Sequence, residues 1–393
     1  MRTLHSKIEA NIKKLYLHNF FFEMMFFIPI LVPFWSGLGF SMQEILLLEA
    51  GFAMTLMILE IPSGYFADMY GRKTSMMIGA VLEFIGLLIF IFAGSFAGFL
   101  LGEIVIGIGA SFQSGANEAL MYDSLVQLKR EKEYKKKQGN YYFAGRMSAV
   151  LSKIPGALFA GIFIKLPFYL TMIPWFIAVI VVFSLVEPTI KRQKFETWKH
   201  FTSICKEALF KNKKLQSLLL YGAIPPGFFL ITFWLYQKYM ETTQVPIIFF
   251  GIIISLMNLT SGLGGKYAKE IEEKITPKLT IILIPITAAL VWASLAIFSS
   301  PYLIWIFAVA AFVWGLHLPI TQDYIQKITT SDKRATILSI RSFLTRVVYV
   351  IFAPLLGWVT DCYSIQSAFG FSAGLIILFG GISLLLLKRG RVI

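Results

Sequence analysis

The sequence predicts an all-α integral membrane protein, with about twelve transmembrane helices in two pseudo-symmetric six-helix halves around a central cavity. Three observations predict it. Of 393 residues, 57% are hydrophobic and only 15% charged, whereas a soluble domain averages about 45–50% apolar with about a quarter charged. Apolar runs recur at the roughly 20 residues needed to cross a ~30 Å hydrocarbon layer. Lys and Arg gather in alternate connecting segments. Too little polar skin remains for a water-soluble globule, so lipid must be the missing solvent.

The spans follow in order at 16–38, 43–67, 74–94, 96–123, 140–163, 167–187, 215–238, 246–267, 278–298, 302–326, 336–360 and 364–387. Pro29 and Pro33 are expected to interrupt span one, and Pro225 and Pro226 span seven, because proline supplies no backbone donor. Residues 1–187 make the first half and 215–393 the second. In the linker 188–214, Phe195, Trp198, Phe201, Ile204, Cys205, Ala208 and Leu209 recur at helical spacing. They suit either a short helix lying on the membrane surface or a solvated tether.

An even count of spans puts both termini on one side. With that side in the cytoplasm, the cytoplasmic segments hold thirty of the 36 Lys and Arg residues, and the outer loops only Lys165 and Lys238. This split sets the orientation in a plasma or inner membrane with both ends inside. It also accounts for the net charge of +14 without nucleic acid. No cleavable signal peptide is expected, since the first apolar run is long enough to span. Cys205 and Cys362 fall too far apart in depth to form a disulfide.

The halves repeat one another. Gly115 precedes Asp123 in span four as Gly315 precedes Asp323 in span ten. Glu60-Ile-Pro-Ser-Gly64 in span two is echoed by Asn258-Leu-Thr-Ser-Gly262 in span eight. Repeated six-helix halves belong to secondary transporters, with the binding site near the midplane.

Between spans two and three stands Gly64-Tyr-Phe-Ala-Asp68-Met-Tyr-Gly71-Arg72-Lys73. This resembles the signature loop of the major facilitator superfamily, and the resemblance runs along the whole chain. Gly64 is expected to permit close helix approach, Gly71 a tight turn, and Asp68 to face a helix N-terminus. The resemblance implies a cytoplasmic gate in which Arg72 pairs with Asp123 and Asp68 meets the start of span eleven, near Arg334. Glu60 and Asp323 join that gate set. Three departures stand out. Glu103 precedes Gly107-Ile-Gly109 where many proton-coupled members carry an arginine. Ile154-Pro155-Gly156 lacks the antiporter Gly-Pro. Lys266 replaces Asp68 in the second copy of the loop.

A charge near a helix centre costs about 2.5–3.5 kcal/mol on insertion scales, so such residues usually face the bundle interior. The candidates for proton or substrate binding are Glu23, Glu103, Asn117, Glu118, Arg146, Lys153, His317, Arg341 and Arg346. In an unbroken span four, Glu103 and Glu118 lie about 60° apart, with Gln113 nearby. Arg146 and Lys153 share one face of span five, and Arg146 lies level with Glu118. Arg341 and Arg346 point about 140° apart, for different tasks. Glu83 reads as structural. Phe228, Phe229, Phe233, Trp234, Tyr236 and Trp314 are either core or the lining of a greasy cavity.

No metal set, cofactor motif or catalytic constellation stands out. His18 and Glu23 form an isolated His-x4-Glu spacing. An enzyme is therefore excluded, and a monomeric secondary transporter working by alternating access is expected, with a non-transporting receptor on the same fold as a rival. Acids on cavity-lining helices favour proton-coupled export of an amphipathic small molecule. The buried cations offer an alternative, an anionic metabolite or siderophore. Cations paired with acids favour a cationic solute, and unpaired ones an anion.

Overall fold

The computed structural model describes residues 4–189, 203, 205–329 and 333–390. Among them every regular element is a helix. In order these are α1 (Leu4–Phe22), α2 (Ile28–Gly37), α3 (Met42–Tyr70), α4 (Arg72–Phe92), α5 (Phe96–Gln113), α6 (Ala116–Gln127), α7 (Tyr134–Ile162) and α8 (Leu166–Phe183). After the linker come α9 (Lys213–Thr242), α10 (Ile247–Lys266), α11 (Ala268–Ile275), α12 (Pro277–Ile297), α13 (Phe307–Ile328), α14 (Arg334–Cys362) and α15 (Ile365–Arg389).

Among the described residues, ten helices are long and apolar enough to cross a membrane, with α5 and α6 together forming one of them. This is a multi-pass membrane protein. The two remaining expected spans fall short for local reasons. Span five is α7, whose apolarity Arg146 and Lys153 dilute. Span one begins earlier than expected, at Leu4, and breaks between Phe22 and Ile28.

That break has a proline origin. Pro29 has no N–H, so the carbonyl of Met25, four residues back, lacks a helical donor. Lys153 Nζ takes its place, donating to Met25 O at 2.8 Å. Other freed groups are also met by neighbours: Trp175 Nε1 donates to Phe22 O at 2.8 Å, and Phe26 N donates to Thr171 Oγ1 at 3.1 Å. Gly156 makes the approach possible, because a Cβ there would collide with Phe26 O.

Span seven differs from expectation. Pro225 and Pro226 sit inside a continuous α9. Pro225 strips Tyr221 O of its donor, and the His317 ring reaches that carbonyl through Nε2 at 3.1 Å. A side chain repairs the ladder, so the helix need not break. Span four is where an unexpected break falls. Gly115 adopts φ 75°, a left-handed conformation that suits glycine, and separates α5 from α6. The 60° offset between Glu103 and Glu118 assumed an unbroken helix and does not apply.

The chain divides into two compact units. Unit 1 holds residues 1–34, 51–195 and 247–255, and unit 2 holds 35–50, 196–246 and 256–393. In unit 1, α4 and α5 run in close contact. Gly79 and Gly109 allow it: a Cβ on either would meet the other's carbonyl oxygen at 2.7 Å. Phe27, Phe34, Phe90, Phe99 and Phe168 form one ring cluster nearby. The segment of α10 in this unit lies on α7, where a Cβ at Gly251 would strike Ala157 Cβ at 2.8 Å.

In unit 2, α9 is surrounded by α13, α14 and α15. Phe228, Phe229 and Tyr236 are buried in its core, against Phe352, Trp292 and Phe307 respectively. The start of α3 also belongs here. Asp361 at the end of α14 accepts from Met42 N at 2.8 Å and Gln43 N at 2.7 Å, an anion capping a helix N-terminus.

Of the linker helix expected over 188–214, Phe195, Trp198, Phe201 and Ile204 lie outside the described residues. Cys205–Lys211 is helical and ends in a π turn with Ala208 buried. Lys333 Nζ pairs with Glu207 at 2.8 Å.

Candidate functional site

Unit 2 holds a partly open cavity of about 200 Å³ between α9, α13 and α14. The helix repaired at Tyr221 supplies Gly222, Pro226 and Leu230, α13 supplies Trp314, His317 and Leu318, and α14 supplies Arg341, Ser342, Thr345 and Arg346. The wall is mixed: an indole and aliphatic groups on one part, two guanidinium groups, two hydroxyls and an imidazole on the rest.

Gly222 makes room for Arg341, since a Cβ there would meet Arg341 Cδ at 3.0 Å and Thr321 Cγ2 at 2.8 Å. Arg341 Nη1 is buried and has no hydrogen-bond partner. No carboxylate among the described residues lies within ion-pair distance of Arg341. Burying a charge without a partner is costly, which sets Arg341 apart from the ion-paired cations of the chain. His317 is differently employed. Its Nε2–H is directed at Tyr221 O, with Thr321 Oγ1 a weaker second acceptor at 3.4 Å. Arg341 and Arg346, expected to do different tasks, both border this cavity.

Unit 1 gathers the other candidates at the break after α1. Glu23 lies half-buried there, and its stem packs on Gly145 of α7. Its charge reaches Lys153, Tyr141 and Glu83. Lys153 is buried and bonded to Met25 O, with Ser152 Oγ at 3.4 Å. It is thus a repair for the broken helix as well as a cation. Asn117 Nδ2 donates to Tyr141 Oη at 2.6 Å, and Glu118 accepts from the Tyr142 hydroxyl. Arg146 is exposed in this unit. Glu103 is buried in α5.

At the loop between α3 and α4, Gly71 takes φ 109°, as the tight turn requires. Arg72 forms an ion pair with Asp68 one turn back. The anion at the N-terminus of α4 is Glu187, which follows α8. It accepts from Arg72 N at 2.9 Å and Lys73 N at 2.7 Å. Asp123 is buried on α6, and Glu60 is half-buried on α3. At the start of span eleven, expected to meet Asp68, the Arg334 side chain lies outside the described residues. A Cβ at Gly64 would meet no described atom within 4 Å. The close approach seen within unit 1 is at Gly79 and Gly109. Asp323 pairs with Lys327 at 2.6 Å in an exposed i,i+4 contact on α13.

The family model of the Major Facilitator Superfamily matches residues 16–352. The chain belongs to the major facilitator superfamily. An uncharacterised MFS-type transporter of Methanocaldococcus jannaschii is 23% identical, covering 98% of this chain and 100% of that one. A mutant of the nucleoside transporter NupG superposes with a TM-score of 0.80 at 15% identity, covering 98% and 99% of the two chains. A D-xylose-proton symporter superposes at 0.71 with 14% identity and 98% of each chain. At these identities the structures speak for the fold. As a member of this superfamily the protein is a membrane secondary transporter, not an enzyme.

The superfamily loop marked the turn at Gly71, yet Glu187 was missed. Its only trace in sequence is an acid before Pro188 at the end of a span, a pattern common in loops. Ser342 and Thr345 were also missed. They read as ordinary helix residues until α14 is seen to face the cavity.

Proposed function

We propose that this protein moves a small organic anion across the membrane by alternating access, coupled to protons. The observation that carries the reading is the half-buried Arg341 guanidinium at a cavity, with its buried Nη1 unbonded. Arg346, Ser342 and Thr345 extend its donor set, which suits a carboxylate or phosphate. Trp314 offers an indole surface to the organic part. The volume of about 200 Å³ lies below the ~300–1,000 Å³ of drug-sized pockets. It therefore favours a small metabolite over the amphipathic export substrate expected from aromatic content. Proton coupling is supported by the buried acids Glu83 and Glu103, and the Lys and Arg asymmetry supports both termini in the cytoplasm.

Proteoliposomes containing the purified protein test this with a panel of small carboxylates, phosphate esters and cationic amphiphiles under an imposed pH gradient. Solute-dependent proton movement is expected with the anions. Arg341→Gln should raise KM roughly ten- to a hundredfold, the equivalent of one charged hydrogen bond at about 1.5–3 kcal/mol. Proton movement with the amphiphiles and none with the anions would overturn the proposal.

A further inference from the structure

Unit 1 holds a second polar group, which the solute reading does not use. His18 of α1, Gln113 at the end of α5 and Glu83 of α4 are 1%, 6% and 1% exposed. The Gln113 amide nitrogen donates to the Glu83 carboxylate. The Gln113 amide oxygen faces His18 Nε2 at 2.7 Å, and the other ring nitrogen, Nδ1, faces Ala178 O at 3.3 Å. The site is built around the backbone: a Cβ at Gly79 would strike Gln113 Cγ at 2.5 Å, and one at Gly109 would strike Glu83 Cγ at 2.6 Å. Both glycines give up side chains so that the glutamine and glutamate can meet. Phe22 stacks on the imidazole at 5.8 Å, and Trp175 stacks on Phe22 at 5.1 Å, closing the site with apolar rings.

Proton counting gives this row of three its meaning. Both His18 nitrogens face oxygens; with a proton on each, the row is an imidazolium bridged by the amide to an ionised Glu83. Turning the amide over gives the other neutral state, in which a Gln113 N–H donates to a bare Nε2 and Gln113 Oε1 accepts from a protonated Glu83. Both states contain the same number of protons and carry no net charge. Removing one proton leaves a single negative charge in a buried site, which is expensive unless compensated.

We infer that His18, Gln113 and Glu83 form a binding site for one exchangeable proton, loaded from water on one side of the membrane and released to water on the other. This rests on the proton-coupled reading above and gives the coupling ion an address. The surroundings suit a site that must sometimes empty. Against α4, α5 brings Glu103 in addition to Gln113, and α6 brings Glu118 and Asp123. No Asp, Glu, Lys, Arg or His occurs in α8. Glu23, at the end of α1, acts on Glu83 through its charge. On the α7 side of α1 stand Tyr141, Arg146 and Lys153, and the charges of Glu23 and Arg146 both act on Lys153.

The test reads the protein itself, with no solute required. Infrared difference spectra of the full chain in proteoliposomes, taken across a pH series, report the C=O stretch of any carboxyl group that gains a proton. A band is expected that persists in Glu103→Gln and disappears in Glu83→Gln. In His18→Asn, a second variant that keeps the carboxyl group, the same band should titrate at a different pH. Spectra of Glu83→Gln that superpose on the parent at every pH would overturn the proposal, as would an unmoved titration in His18→Asn. Failure of every solute to move protons would refute the transport reading and leave this measurement intact.

Discussion

Replacing His317 with phenylalanine tests whether a buried histidine is holding a proline-containing helix together. Tyr221 O has no helical donor because Pro225 lacks an N–H, and His317 Nε2 lies 3.1 Å away. The phenyl ring keeps the packing against Tyr221, now at 5.2 Å between ring centroids, while deleting the donor. A buried carbonyl left unsatisfied costs about 1–3 kcal/mol, and that is the expected loss of stability. Pro225→Ala returns an N–H within reach of Tyr221 O, so the His317→Phe cost should largely vanish in that background. Reversible unfolding in mixed micelles, followed by the fluorescence of the eight tryptophans, gives all four corners of the cycle. A His317→Phe cost that agrees in the two backgrounds within about 0.5 kcal/mol would mean the sites act independently. The repair argument would then be wrong.

Glycine substitutions should separate contact from sequence motif. Gly156→Ala forces a Cβ onto Phe26 O and should cost about 1–3 kcal/mol or more through overpacking. Gly64→Ala, with open space around it, should stay within about 0.5 kcal/mol of the parent; unfolding curves that rank them the other way would contradict the close-packing assignment. Glu187→Ala removes the cap at the start of α4 and should lower stability by about 0.5–2 kcal/mol. If hydrogen exchange of the Arg72 and Lys73 amides is unchanged in that variant, the cap is not functioning. In the loop before α7, the hydrogen bond and charge of Arg130 hold the Glu133 carboxyl below its ordinary range. A depressed carboxylate contributes stability above its unfolded value and loses it as pH falls through the folded one. Arg130→Gln should therefore flatten the acid limb of the stability profile, and an unaltered limb would place the dependence on other groups.

Much of this molecule could be read directly from the chain. Lipid as solvent follows from 57% apolar residues and long apolar runs, because hydrocarbon leaves a helix no freedom to expose its backbone. The turn at Gly71 was legible because glycine, aspartate and Gly-Arg-Lys stand at fixed spacing beside a span. Prolines marked where donors go missing, but not what happens next. Pro29 and Pro225 remove the same kind of hydrogen bond. Around Pro29 the helix breaks, with Lys153 and Thr171 meeting the freed groups, while α9 runs straight through Pro225 with His317 against its carbonyl. That difference depends on residues more than ninety positions away, which no local pattern encodes. The same holds for the sites. Periodicity placed Arg341 in a span, and only packing against Gly222 gave it a cavity and an unbonded nitrogen. His18, Gln113 and Glu83 come from three separate helices, and each alone reads as an ordinary buried polar residue. Composition and spacing determine which segments enter the membrane, because those are properties of consecutive residues. Which polar groups meet there is decided by tertiary packing, since a hydrogen bond in a dry interior exists only when both partners arrive.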